Sequence, residues 1–149
     1  TTLSESSQAA IRVREAEQKY DAPDYQKALE EFYGKYVYRN PVLTELDSMF
    51  QTANAAIYNY MQGPSEFTIT GTLKSYDATS FLPKIKVPTL YTVGEFDEAN
   101  PKLVKKFADM TPGSKYAILL GAGHQTTWDA RDENVRVVRD FLNQLDSKN

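Results

Sequence analysis

Three side chains in this 149-residue sequence have the types and spacing to move protons: Asp97, Glu98 and His124, the only histidine. Asp97 and Glu98 follow Thr89-Leu-Tyr-Thr-Val93 and Gly94, a β-branched and aromatic run that reads as a strand delivering carboxylates to a loop. His124 comes after a second apolar run, Lys115-Tyr-Ala-Ile-Leu-Leu120, and the turn Gly121-Ala-Gly123. Side chains in open α/β sheets act from the carboxyl ends of the strands, so one edge of a sheet can hold both the acid and the histidine. An acid that orients a histidine, which takes a proton from a nucleophile, is the arrangement of acyl-transfer catalysis. The bland alternatives are a histidine without chemistry at position 124 and, for Asp97, an acid favoured by the helix dipole ahead of Pro101. Glu98 and Glu66 read, taken alone, as solvated carboxylates.

The elements that must position these groups form two stretches of different character. Residues up to about 62 read as helices. Ser4 to Lys19 carries a thin stripe of Ala9, Val13 and Ala16, and Asp21-Ala-Pro23 breaks it. Asp24 is expected to cap a helix bearing Tyr25, Leu29, Phe32, Tyr33 and Tyr36, ended by Arg39-Asn-Pro41. Leu43 to Met61 is expected as a third helix, with Leu46, Met49, Phe50, Ala53, Ile57 and Tyr58 on its period. Three short helices with aromatic faces suit a lid better than a free-standing bundle. Gly63-Pro-Ser-Glu66 then changes the pattern, and Phe67-Thr-Ile-Thr70 is a short β-prone run before a polar connector.

From Thr89 the order is strand, helix opened by Asn100-Pro101, strand, and an amphipathic helix from Trp128 to Leu145, which is an α/β unit. Lys115 to Leu120 has the uniform apolarity of a strand covered on both faces. Two such strands do not make a stable sheet alone, so the chain reads as the back half of a larger α/β domain.

Composition narrows the function classes. A net charge of -3 and a pI near 5.2 give no electrostatic footprint for nucleic acid or an anionic membrane. The absence of cysteine excludes disulfides and thiol chemistry. One histidine with scattered acids lacks the ligand spacing of a zinc site, and there is no glycine-rich loop for a nucleotide phosphate. Adjacent Asp97 and Glu98 point apart in an extended segment, which argues against a glycosidase pair.

At these residues the chain resembles the proline iminopeptidases, α/β-hydrolases that act as serine aminopeptidases. The matching blocks are Asn59-Tyr-Met-Gln-Gly-Pro-Ser-Glu66-Phe67-Thr-Ile-Thr-Gly-Thr-Leu73, Ile85-Lys-Val-Pro-Thr-Leu90, Gly94-Glu-Phe-Asp97-Glu98-Ala-Asn-Pro101, and Gly123-His124 with Trp128. The resemblance implies the C-terminal part of an α/β-hydrolase fold, with residues 1–66 as an all-helical cap and residues 67–149 supplying the last two parallel strands and flanking helices. It implies Asp97 as triad acid, His124 as triad base, and Glu66 and Glu98 as a clamp for the substrate's free amine, with no cofactor and no metal. Tyr36, Tyr58 and Phe67 are expected to line the substrate pocket. The substrate class the resemblance implies is a small peptide or amino-acid amide, and neither nucleic acid nor membrane is an expected partner.

The family's Gly-x-Ser-x-Gly elbow does not occur, and Ser65 and Ser114 are turn serines without its second glycine. The nucleophile is therefore expected on a separate N-terminal portion of the same hydrolase, with the chain split or cleaved where the cap begins. Two other readings stay open: an amidase or esterase using the same triad, and a catalytically dead fragment that binds or scaffolds.

Overall fold

The computed structural model describes residues 2–40, 48 and 51–147. They fall into two compact units, Thr1–Tyr33 with Pro41–Asp77, and Gly34–Asn40 with Ala78–Asn149. Residues 67–77 thus group with the helical unit, and residues 34–40 with the strands.

In the first unit, helix α1 spans Glu5–Glu17 and α2 spans Pro23–Phe32. Ser4 caps α1, its hydroxyl accepting from the Ser7 backbone N–H at 3.2 Å, and Gln18 closes it in the left-handed region. The apolar stripe of α1 is as thin as its sequence suggests. It is polar atoms that tie the two helices: Glu31 accepts from the Ser4 N–H, the Ser4 hydroxyl and the Ser7 hydroxyl at 2.8, 2.7 and 2.5 Å. Arg14 adds a forked contact to Asp24 at 2.9–3.0 Å.

Asp24 is not the cap of α2. Ala22 occupies that position and Pro23 the first helical one, where its fixed φ starts the helix without a side-chain acceptor. Asp24 lies in the first turn and turns to Arg14 instead.

Tyr25, Ala28 and Leu29 are buried on the inner face of α2, and the rings of Tyr20, Tyr25, Phe32 and Phe67 pack edge to face or tilted around them. The buried Tyr25 hydroxyl donates to Ser65 Oγ at 3.1 Å and lies 3.2 Å from Thr68 Oγ1, which in turn donates to Glu15. The Thr68 N–H also donates to Ser65 Oγ, at 3.2 Å.

This network, rather than strand pairing, holds the β-prone run Phe67–Thr70. The segment is a turn with one isolated antiparallel bridge, Ser65 to Thr68, and Thr70 and Gly71 both donate to the Gln62 carbonyl at 3.0 Å. The Thr68 and Thr70 amides thus find acceptors within the turn, without a neighbouring strand. Residues 43–47, 49 and 50 of the expected helix Leu43–Met61 lie outside the described residues, and the part that is described is broken at Ala53–Asn54, where Asn54 is extended. A new helix, α3, Ala55–Met61, starts after the break, capped by the Asn54 side chain accepting from Ile57 N–H at 3.1 Å.

In the second unit, strands β1, Leu90–Gly94, and β2, Lys115–Leu119, pair in parallel from Leu90 with Lys115 to Gly94 with Leu119. The crossover helix α4 is Pro101–Met110, with the Asn100 side chain capping Lys102 N–H at 3.0 Å. Two tyrosines secure the crossover by their hydroxyls: Tyr91 meets Thr111 Oγ1 at 2.7 Å, and Tyr116 donates to the Pro101 carbonyl at 2.8 Å.

After β2 come the short helix α5, Thr126–Asp129, and α6, Arg131–Asp146. The single helix expected from Trp128 is therefore broken at Ala130, whose φ of -137° and ψ of 51° leave the helical region. Nor do the described residues cover both faces of β2. Ile118 is 43% exposed and Leu120 75% exposed. A sheet of two strands leaves outer edges and faces that these residues alone do not cover. Among the described residues, no helix is long and apolar enough to cross a membrane.

Candidate active site

The loops after β1 and β2 are stitched together. Glu95 N–H donates to the Leu119 carbonyl at 3.0 Å and Phe96 N–H to the Ala122 carbonyl at 2.9 Å, which brings Asp97 to the loop that carries His124. Asp97 N–H donates to the Gly94 carbonyl at 3.2 Å, closing a tight turn at the strand end. The carboxylate reinforces that turn, Oδ2 accepting from Gly94 N–H at 3.3 Å and Oδ1 from Ala99 N–H at 2.8 Å.

Oδ1 of Asp97 also lies 3.0 Å from Nδ1 of His124. The Asp97 side chain is 5% exposed and the imidazole 50%, so the acid is sequestered and the ring reaches the surface. Burial alone would raise the Asp97 carboxyl. The hydrogen bond from His124 and those from the Ala99 and Gly94 amides outweigh it and hold the group below its ordinary range. An ionised carboxylate only accepts, so Nδ1 is the ring nitrogen that carries the hydrogen in this contact.

The backbone of His124 is fixed from the other side by segment 34–40. The widened turn Tyr33–Val37, a π-helix, ends with two carbonyls that accept from the histidine loop: Tyr36 from His124 N–H at 2.8 Å and Val37 from Gln125 N–H at 2.7 Å. Gly123 permits that approach, because a Cβ there would stand 2.8 Å from the Tyr36 oxygen. Tyr36, read from the sequence as a pocket residue, thus meets His124 through its main chain.

Sequence reasoning missed Asp129 and Arg39. Asp129 accepts from the Gly123, Arg39 and Asn40 amides, and Arg39 lays its guanidinium over the Phe96 ring at 3.9 Å while donating to the Gly121 carbonyl at 3.0 Å. No local pattern marks either residue.

Glu98 occupies the turn between Asp97 and Asn100 and is partly buried. Glu66 belongs to the first unit. There Tyr58 donates its hydroxyl to Glu66 Oε1 at 2.9 Å, and Gln62 Nε2 donates to the Glu66 carbonyl at 3.1 Å. Phe67, next to it, packs edge-on against Phe32 with ring centroids 4.9 Å apart.

No family model matches the chain. It is 44% identical over 92 residues to the proline iminopeptidase of Heyndrickxia coagulans, covering 62% of this chain and 32% of that protein. It is 34% identical over 142 residues to that of Thermoplasma volcanium, covering 94% of this chain and 48% of the relative. The chain belongs to the proline iminopeptidase family as its C-terminal portion. It spans at most about half the length of these relatives.

Solved structures agree with the family assignment. The crystal structure of the Mycobacterium smegmatis proline iminopeptidase superposes with a TM-score of 0.83 at 34% identity, covering 95% of this chain and 48% of that one. That of VinJ superposes at 0.91 and 31% identity, covering 96% and 49%. The two parallel strands with their helices are the C-terminal part of an α/β-hydrolase fold.

Proposed function

We propose that this chain supplies the acid and base of a serine aminopeptidase that releases N-terminal residues, proline above all, from small peptides. The nucleophile comes from an N-terminal portion of the same hydrolase carrying Gly-x-Ser-x-Gly. Residues 1–66 serve as its helical cap and residues 67–149 as the end of its core. The observation that carries this reading is the 3.0 Å contact between Nδ1 of the lone histidine and the buried Asp97 carboxylate.

With Nδ1 committed to Asp97, Nε2 of His124 takes the proton from the serine hydroxyl as the serine oxygen attacks the acyl carbon. The same nitrogen returns that proton to the departing peptide amine as the C–N bond breaks. Water then attacks the acyl-enzyme, giving its proton to Nε2, and the serine leaves with it. Asp97 stabilises the imidazolium formed in both halves. By family correspondence Glu66 and Glu98 hold the substrate's cationic amine, and Tyr36, Tyr58 and Phe67 shape the space around its side chain. Carboxylates that pair with a free amine also reject blocked substrates, whose neutral end leaves the acids unpaired.

The test is turnover of a free prolyl amide by the native assembly, alongside its N-acylated counterpart. Hydrolysis of the free form, rejection of the blocked form and loss of activity in His124→Ala are expected. Turnover that survives His124→Ala sinks the proposal.

A further inference from the structure

Asp129 sits at the end of α5, and its carboxylate accepts three backbone N–H groups. Oδ1 accepts from Arg39 and Asn40, both at 2.9 Å, and Oδ2 from Arg39 at 2.9 Å and Gly123 at 2.8 Å. The Asp129 carbonyl also accepts from Asn40 Nδ2 at 3.2 Å. Gly123 directly precedes His124. Arg39 and Asn40 end the segment whose Tyr36 and Val37 carbonyls accept from the His124 and Gln125 amides. One carboxylate therefore holds both sides of the backbone frame in which the imidazole is mounted.

We propose that Asp129 is the positioning residue for His124, setting the main-chain position from which the ring reaches Asp97. The proposal rests on the role given to His124 above. Three donors converging on two oxygens require a group that only accepts. An asparagine would turn an NH₂ toward one of the amides, donor against donor, and loosen either the Gly123 side or the segment 34–40 side. Released there, the ring drifts from Asp97, and misplacement by about 1 Å costs on the order of 10²-fold in rate.

His124 is the only histidine, so ¹⁵N-histidine labelling of this chain reports its ring without ambiguity. Asp129→Asn is expected to shift the Nδ1 and Nε2 resonances toward those of Asp97→Asn. In the assembled enzyme it should lower kcat by roughly tenfold to 10²-fold with KM changed less than about twofold. Asp129→Glu keeps both acceptor oxygens and should give intermediate ring signals and an intermediate kcat, while exposed Asp132→Asn should change neither. Ring signals and kcat that stay at wild-type values while the melting temperature falls would make Asp129 a structural strut, as would loss of the folded state in both Asp129 variants; either result overturns the proposal. An Asp129→Asn ring shift in an assembly that hydrolyses nothing would leave positioning standing and remove the aminopeptidase reading.

Discussion

The α-carbon of Gly94, the last residue of β1, lies against the backbone just before His124. A Cβ built on Gly94 would stand 2.1 Å from the Gly123 carbonyl oxygen and 2.6 Å from that of Ala122. Backbone cannot rotate out of the way as a side chain can, so the acid-bearing and histidine-bearing loops approach only because this residue has no side chain. Gly94→Ala is expected to destabilise the fold by about 1–3 kcal/mol, the usual cost of overpacking. Gly34→Ala, where nothing lies within 4 Å, should stay within about 0.5 kcal/mol. Urea midpoints of the two variants check both; equal midpoints would show that the loops do not depend on this contact.

Asp97→Asn keeps the size of the side chain but removes the charge that fixes the Nδ1–H form of His124. Turnover of a prolyl amide is expected to fall on the order of 10⁴-fold, with the free-amine preference unchanged. Steady-state kinetics on the assembled enzyme measure it, and a loss of less than tenfold would detach the acid from the histidine's work.

The same carboxyl makes stability depend on acid. Its value in the folded chain is depressed, despite burial, by hydrogen bonds from His124 and the Ala99 and Gly94 amides, so below neutrality the unfolded chain binds a proton first. The Asp97 contribution is therefore fully present above the ordinary aspartate value of about 3.9 and is lost as pH falls through the lower folded value. Denaturant titrations from about pH 5 to pH 2 should show this loss, and Asp97→Asn should flatten that part of the profile. An unchanged slope in the variant would assign the acid sensitivity elsewhere.

Tyr58 steadies Glu66 through one phenolic hydrogen bond at 2.9 Å. Tyr58→Phe removes that donor and keeps the ring. If Glu66 holds the substrate's amine, KM for free-amine substrates should rise about two- to tenfold, the worth of one partly exposed hydrogen bond, with kcat nearly constant. A lower kcat at constant KM would place Tyr58 in the chemical step instead.

Much of the second unit was legible because its signals are local. The β-branched run before Gly94 gives β1 one residue from its predicted start, and Asn100-Pro101 opens α4 where a side-chain cap followed by proline should. The acids after one strand and the histidine after the next were visible as residue types at strand ends. The β-prone run Phe67–Thr70 forms no strand, because β-propensity says nothing about whether a neighbour is present to pair with. There, Tyr25, Ser65, Thr68 and Glu15 satisfy the segment across up to 53 residues of sequence. The Trp128 helix failed at Ala130, where the periodicity runs on but the backbone leaves the helical region.

The sequence by itself determined which chemical groups this chain carries, which strand ends deliver Asp97 and His124, and its membership of the proline iminopeptidases. Those properties rest on residue type and short-range pattern. Only the tertiary structure decided that Nδ1 of His124 faces Asp97, that Tyr36 and Val37 hold the histidine loop by their carbonyls, and that Asp129 binds Arg39 from 90 residues away. The carbonyls of Tyr36 and Val37 and the amide of Arg39 are main-chain groups that leave no mark in the sequence, and the two side-chain acids reach their partners only once the fold has brought the segments together.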